Sequence, residues 1–574
     1  MQNPTSSKNP YSRNFPHLLQ SPSGLRIEVN ANGSVRRMDH GDILLNLFLG
    51  TEIEGGPANL YLRRHGTSIE AVPLLGPQSP AAIHLDERGM SATGEWHGIR
   101  FRVSLVLSES TPAWFWHLRL ENTLHTSEKL DLIYAQDLAL AHYGAVRINE
   151  YYTSHYVDHT PLSHPERGIV LASRQNLSMS GRHPWCVIGA LGKGVGFASD
   201  ALQFHGLATR AGQEPAGLTE GLDIVRRQHE HAMTVIQDAP VRLGRSEVIE
   251  RGFFGWFEAD HPEATAANDL VFVDSAIELP EAVPAFDSNA PCGSEPPASL
   301  FASAPLLDAQ DLTEADIADL FGTELRAVER ENGKILSFFA GTNRHVVLKA
   351  KELSVLRPHV QILRTGHRLV PEEAALTSNT WMGGVFHAMV TQGHVSINRF
   401  LSTPHSYLGL FRGNGLRLFV EMADSWHLLE VPSAFEMTPE SSRWIYKYPA
   451  GLIQIRSAAP VDGHALTLSA EVLSGDPLRF FLSWHVALNG DDGNNAVPVR
   501  YVHNEEDVFV QPNPESDVGR RFPEGGFRIV PLEGTVIERM GRDEMLFADG
   551  LSRNQPYLCM ISEPAVSIGF RLKG

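Results

Sequence analysis

Positive charge is in short supply in this 574-residue sequence: 48 lysines and arginines stand against 67 acidic residues, a net charge of −19. A nucleic-acid backbone or an anionic membrane surface would be repelled at long range, so neither is an expected partner. Cysteine is scarcer still. Cys186, Cys292 and Cys559 lie far apart with no C-x-x-C spacing, which points to neither a disulfide framework nor a structural zinc site and fits a reducing compartment, the cytoplasm. No apolar run approaches the ~20 residues that a membrane helix needs. The start, "MQNPTSSKNPYSRNFPHLLQ", is polar and broken by proline, unlike a secretory leader. Continuous helical periodicity is rare before residue 280.

Alternation takes its place. In "FRVSLVLSES", Phe101, Val103, Leu105 and Leu107 fall on one face; in "WFWHLRLEN", Trp114, Trp116, Leu118 and Leu120 do the same, with His117, Arg119 and Glu121 expected outward. Turn signals punctuate the strands at Asn32-Gly33, at Gly41-Asp42 and in "LNGDDGNN" (488–495). The length allows two to four domains. The predicted fold is all-β: two large antiparallel β-sandwiches joined by a connector with a short helix. The expected divisions are a flexible N-terminus over 1–20, a first sandwich over 21–278, a connector over 279–325 and a second sandwich over 326–574. The connector is rich in proline, serine and alanine and reads as exposed. Within it "DLTEADIADLFG" sets Thr313 three residues before Asp316, places Leu312, Ile317, Leu320 and Phe321 on one face and stops at Gly322, predicting a short docking helix.

The stretch "YYTSHYVDHTPLSHPERG" (151–168) gathers three histidines and two acids. On a helix His155 and His159 would share a face one turn apart and could chelate one ion; on a strand they would stand ~13 Å apart. Its aromatic and β-branched content and Thr160-Pro161 favour a strand entering a loop, so no metal site is predicted. The plain reading is a polar strand end with satisfied histidines. The chemical alternative is a sugar contact, with aromatic faces against pyranose C–H groups and His, Asp and Arg on hydroxyls. Candidate substrate-binding residues here are His155, Asp158, His159, Arg174 and Trp185, the downstream stretch "SRQNLSMSGRHPW" also adding Gln175, Asn176, Arg182 and His183. In the second half they are Trp381, His394, Asn398 and Arg399, with His405 nearby and Gly383-Gly384 marking a bulge or a close backbone approach. For Arg399 the plain alternative is a tie to a carboxylate.

Glu421, Asp424, Glu430 and Glu436 could in principle supply a paired-carboxylate site, but they read more simply as strand-edge or core-network residues. The glycine run of 189–200 lacks the strand–turn–helix context of a dinucleotide site, and no G-x-S-x-G elbow or P-loop occurs. No catalytic residue is assigned.

Three runs, "HVVLKAKELSVLRPHVQILRTG" (345–366), "TSNTWMGGVFHAMVTQGHVSINRFLS" (377–402) and "LEVPSAFEMTPESSRWIYKY" (429–448), resemble the bacterial 1,2-β-oligoglucan phosphorylases of glycoside hydrolase family 94. "YTSHYVDHTPLSHP" followed by "ASRQN" resembles their N-terminal module. The resemblance implies inverting phosphorolysis of β-1,2-glucooligosaccharides to α-glucose 1-phosphate, with inorganic phosphate as co-substrate and no cofactor. It implies galactose-mutarotase-like super-sandwich domains ahead of an (α/α)6 barrel that carries the general acid and the phosphate site. That barrel is expected after residue 574, outside this sequence, so the chain is expected to be the non-catalytic N-terminal half, inactive alone. Its expected partners are the glucooligosaccharide, its own catalytic barrel and a second copy of itself. The alternatives are a stand-alone carbohydrate-binding or regulatory protein and, more remotely, a glycosidase or epimerase working in a sandwich cleft.

Overall fold

Period-two patterning becomes pleated sheet through most of the chain. The computed structural model describes residues 16–86, 89–228, 230–286, 293–367, 372–393, 399–504 and 506–574, and these form two compact units. Those up to 206 and those of 214–298 make the first; those of 207–213 and from 299 onward make the second. Among the described residues no helix is long and apolar enough to cross a membrane.

In the first unit the strands fall into a 14-stranded and a five-stranded sheet. Strand Ala113–Asn122 runs antiparallel between Ile99–Leu107 and Val248–Glu258, and Trp114 lies opposite Gly255. A Cβ on Gly255 would come within 2.0 Å of the Trp114 ring, so the glycine makes room for the indole. Phe101, Val103 and Leu105 are buried as the alternation predicts. His117 is not outward: it is buried, and its Nε2 shares a 2.9 Å hydrogen bond with the Glu281 carbonyl. The reason is a cover over the second face of the sheet. Helix Leu270–Ile277 sets Val273 and Ala276 against Phe115, Val187 and Phe254, giving both faces of the strand a buried environment that a two-fold pattern cannot announce. That helix, too, escapes the sequence reading.

A second correction concerns 150–155. Glu150–His155 is a helix, not strand, and its first turn is capped by Asn149 Oδ1 accepting the Tyr152 N–H at 2.9 Å. Thr153 and Ser154 face inward, where Ser154 Oγ accepts the Ala232 N–H at 2.5 Å. Burial of this small polar face overrides the strand propensity of the tyrosines. The strand begins only at Val157 and runs to His164, with Pro161 inside it.

The second unit stacks an 11-stranded sheet on an eight-stranded one. Strand Ser441–Tyr448 shows how its sides divide: Trp444, Tyr446 and Tyr448 enter the core with Phe386, Trp484 and Phe570, while Ile445 packs with Ile317 and Phe321 of the helix Glu314–Phe321. That helix has the predicted capping box, Thr313 with Asp316, and ends at Gly322 with φ 89°. The terminal run forms strand Ser567–Lys573, paired with Ala465–Ser474 and Phe527–Pro531. The stretch expected as an exposed connector is partly built in: Phe301, Leu307 and Ala309 are buried, and Phe301 meets the Phe419 ring at 5.1 Å. Its few apolar residues, not its average composition, decide its path. Strand His17–Gln20 likewise begins inside the terminus expected to be flexible.

Candidate functional site

The candidates of the first unit fall on three adjoining strands. Asp158, Arg174 and Trp185 are register partners in turn, across Val157–His164, Gly168–Gln175 and Trp185–Ala190, so all three stand on one sheet face. Their side chains are engaged elsewhere. Asp158 pairs with Arg226 at 3.4 Å. Arg174 donates to the carbonyls of His261 and Pro262, each at 2.8 Å, and to Asn176 Oδ1. Trp185 is fully enclosed, stacked 5.0 Å from His261 and donating to Thr265 Oγ1 at 3.0 Å, which leaves no ring face for a sugar. His155 ends the short helix, largely exposed, 3.9 Å from Glu230. His159 lies on the opposite, buried face, sharing a 2.8 Å hydrogen bond with Ser173 Oγ. Burial pushes its imidazole down to about 3, so it is neutral at physiological pH. Among the described residues no group of three or more His, Cys, Asp or Glu is placed to hold a metal ion.

Buried Ser–His pairs recur. Ser378 and His387 meet at 2.9 Å and Ser402 and His485 at 2.7 Å, all four side chains being enclosed. A nucleophilic serine must reach substrate, so these are struts between strands. Burial holds both imidazoles near 4.

In the second unit His394 and Asn398 lie outside the described residues. Arg399 is tied to a carboxylate: its Nη1 donates to Asp492 Oδ1 at 2.5 Å, while His405 Nε2 is 2.9 Å from Oδ2 and the Thr403 N–H donates to the same oxygen at 3.1 Å. Burial raises the Asp492 carboxyl, but His405 and Arg399 outweigh it and bring the group to about 2. The four weighed acids divide as well. Glu421 pairs with Arg479, and Asp424 sits at positive φ in the turn between Leu416–Met422 and Ser425–Leu428. Glu436 accepts from Arg443 at 2.9 Å, and Glu430 is bound by Arg417 with Arg412 Nε 3.8 Å away.

Trp381 and Glu430 come together in a half-open cleft, joined by residues no motif pointed to: Glu352, Tyr407, Phe411, Arg210 and Arg417. Glu352 lies on helix Lys349–Ser354, is 1% exposed and accepts through Oε2 from the His359 N–H at 3.0 Å, with His359 Nδ1 2.6 Å from the same oxygen. Arg210 fixes the surrounding backbone by donating to the carbonyls of Tyr407 (2.7 Å), Glu352 (3.0 Å) and Val355 (2.8 Å). Gly383-Gly384 forms the turn between Leu376–Trp381 and Val385–Gln392, and a Cβ on Gly384 (φ 69°) would lie 2.0 Å from the Leu429 carbonyl. The close backbone approach expected there is real, and it brings the hairpin against Glu430.

Comparison with known proteins places this pair of sheet domains among the sandwich modules of glycoside phosphorylases. A family model described as the glycoside phosphorylase supersandwich domain matches residues 324–568, and one described as the SOGP N-terminal domain matches residues 28–255. Between them the two models match most of the chain, each within one of its two halves. A 1,2-β-oligoglucan phosphorylase of Listeria innocua serovar 6a is 28% identical over 515 residues, covering 88% of this chain and 44% of that protein. The chain thus spans less than half the length of the curated relative it matches. Solved structures of a galactose mutarotase related enzyme (8% identity, TM-score 0.27) and a galactose 1-epimerase (12%, 0.24), both from Lactobacillus acidophilus, each cover 44% of this chain and 99% and 98% of their own. Similarity at that level carries nothing further here.

Proposed function

We propose that these residues are the N-terminal, non-catalytic part of a 1,2-β-oligoglucan phosphorylase-like enzyme, which scaffolds a catalytic module and shapes the edge of its substrate cleft. The enzyme would cleave β-1,2-glucooligosaccharides with inorganic phosphate to give α-glucose 1-phosphate. The observation that carries this reading is the coverage of the chain by the two family models, with 88% of it aligned to a relative of which it spans 44%. The chemistry would then reside in the length of the relative that these residues do not match. The side chains agree: of the acids weighed as catalysts, Glu421, Glu430 and Glu436 are each held by arginine. A phosphorolytic acid has to be free to give its proton to the glycosidic oxygen.

A second reading, a stand-alone carbohydrate-binding protein, draws on one exposed feature. Tyr152 and Tyr156 are exposed and pack edge to face with ring centres 5.1 Å apart, and Asp158, two residues on in sequence, pairs with Arg226, a mixture of aromatic and polar groups suited to a sugar. Incubating the purified chain with sophorotriose, with and without phosphate, tests the absence of catalysis that both readings share. The expected result is no glucose 1-phosphate and no free glucose; glucose 1-phosphate would overturn the non-catalytic assignment, and glucose without phosphate would indicate a hydrolase.

A further inference from the structure

We infer that the cleft of Trp381 and Glu352 is a binding site for one neutral hydroxyl-bearing group, the exocyclic hydroxymethyl or ring-edge hydroxyl of a glucoside whose ring lies at the open mouth. Two polar atoms of opposite sense carry the inference. Trp381 Nε1–H, a donor, and Glu352 Oε1, an acceptor, are both buried, both belong to residues lining the cleft, and neither has a hydrogen-bond partner. A buried polar group left unmet costs about 1–3 kcal/mol, so the pair is prepared for something that accepts and donates at once. A hydroxyl does both.

Charge narrows the class further. A phosphate or carboxylate could take the indole proton but would meet Glu352 and Glu430. An ammonium could satisfy Glu352 but would meet Arg210, Arg412 and Arg417. With both signs of charge already on the walls, a neutral ligand is the one that neither set repels. Pro358, Val385, Phe411 and Val431 supply apolar surface suited to C–H groups. Size limits how much can enter: the cleft volume is about 40 Å³, room for a hydroxymethyl group and not for a whole pyranose. The choice of a glucoside rests on the proposed function; the hydroxyl chemistry does not.

Titration of the full chain with sophorose, followed by tryptophan fluorescence and calorimetry, tests this. W381F keeps an aromatic ring but removes the indole N–H together with part of the ring surface, and E352Q keeps the shape of the side chain while changing its acceptor, so loss in both variants is required; thermal melts establish that each is folded. The expected result is at least a tenfold loss of sophorose affinity in both variants. Unchanged affinity in folded W381F would overturn the site while leaving the glucan assignment standing, because sugar would then bind elsewhere. Absence of sophorose binding by the unmodified chain would overturn the proposal itself, and the phosphorolysis assay judges the enzyme assignment separately.

Discussion

Arg399 and Asp492, 93 residues apart in sequence, form an ion pair whose carboxylate is fully enclosed while the guanidinium stays partly accessible. Asp492 lies in the turn after strand Phe480–His485 at positive φ, and its second oxygen serves His405 and the Thr403 N–H. One short side chain thereby holds the backbone of 399–405. Removing it in D492A strands a cation and an imidazole without their acceptor. The expected cost is about 3 kcal/mol, read as a fall in the urea midpoint, with D492N, which keeps one acceptor oxygen, losing less.

Stability should also fall as the solution is acidified from pH 7.5 to 5. His159 and His231 are held near 3, and His387 and His485 near 4, in each case chiefly by burial. In the unfolded chain each regains a value near 6.5. Between pH 6.5 and the folded values the unfolded state binds protons that the native state refuses, worth about 2 kcal/mol per histidine at pH 5. Asp137 acts in the opposite direction: burial raises it to about 6, despite N–H donation from Leu47 and Phe48, so it favours the native state as pH drops through 6. His205, also held near 4 by burial, joins the histidines, and Asp238 and Asp543, raised by burial, join Asp137; five histidines outweigh three aspartates. Asp492 adds its loss only between about pH 4 and 2. A thermal-melt series across pH checks this; a midpoint that is flat or rises towards pH 5 would contradict it.

Glycine at 255 is expected to be indispensable for a steric reason. G255A places a methyl 2.0 Å from the buried Trp114 ring, for an overpacking cost of about 1–3 kcal/mol or more. Gly144, in the helix Tyr143–Ile148 with nothing within 4 Å of its would-be Cβ, is the matched control. There alanine should be neutral or stabilising by about 0.5–1 kcal/mol, and paired denaturation curves distinguish the two.

How much of this was legible depended on whether the signal was local. Thr313, Asp316 and Gly322 announce their helix because a cap is a contact within four residues. The strand at Ile99–Leu107 announces itself because one of its faces stays partly exposed. The helix at Glu150–His155 carried its own cap in Asn149, followed by Glu150, but the tyrosines and Thr153 favour a strand, and the deciding Ser154–Ala232 bond spans 78 residues. His117 was misplaced for the same reason, its cover coming from residues 164 positions away. Trp381 was visible as a candidate, whereas Glu352 and Arg210 were not, since only the folded sheet brings them to one cleft.

Whether the two sandwiches position sugar without cleaving it is most directly read by phosphorus NMR with the chain in stoichiometric excess over sophorotriose, in phosphate buffer, where even one turnover would register. The account predicts an unchanged inorganic phosphate signal over hours. A growing glucose 1-phosphate resonance would contradict it.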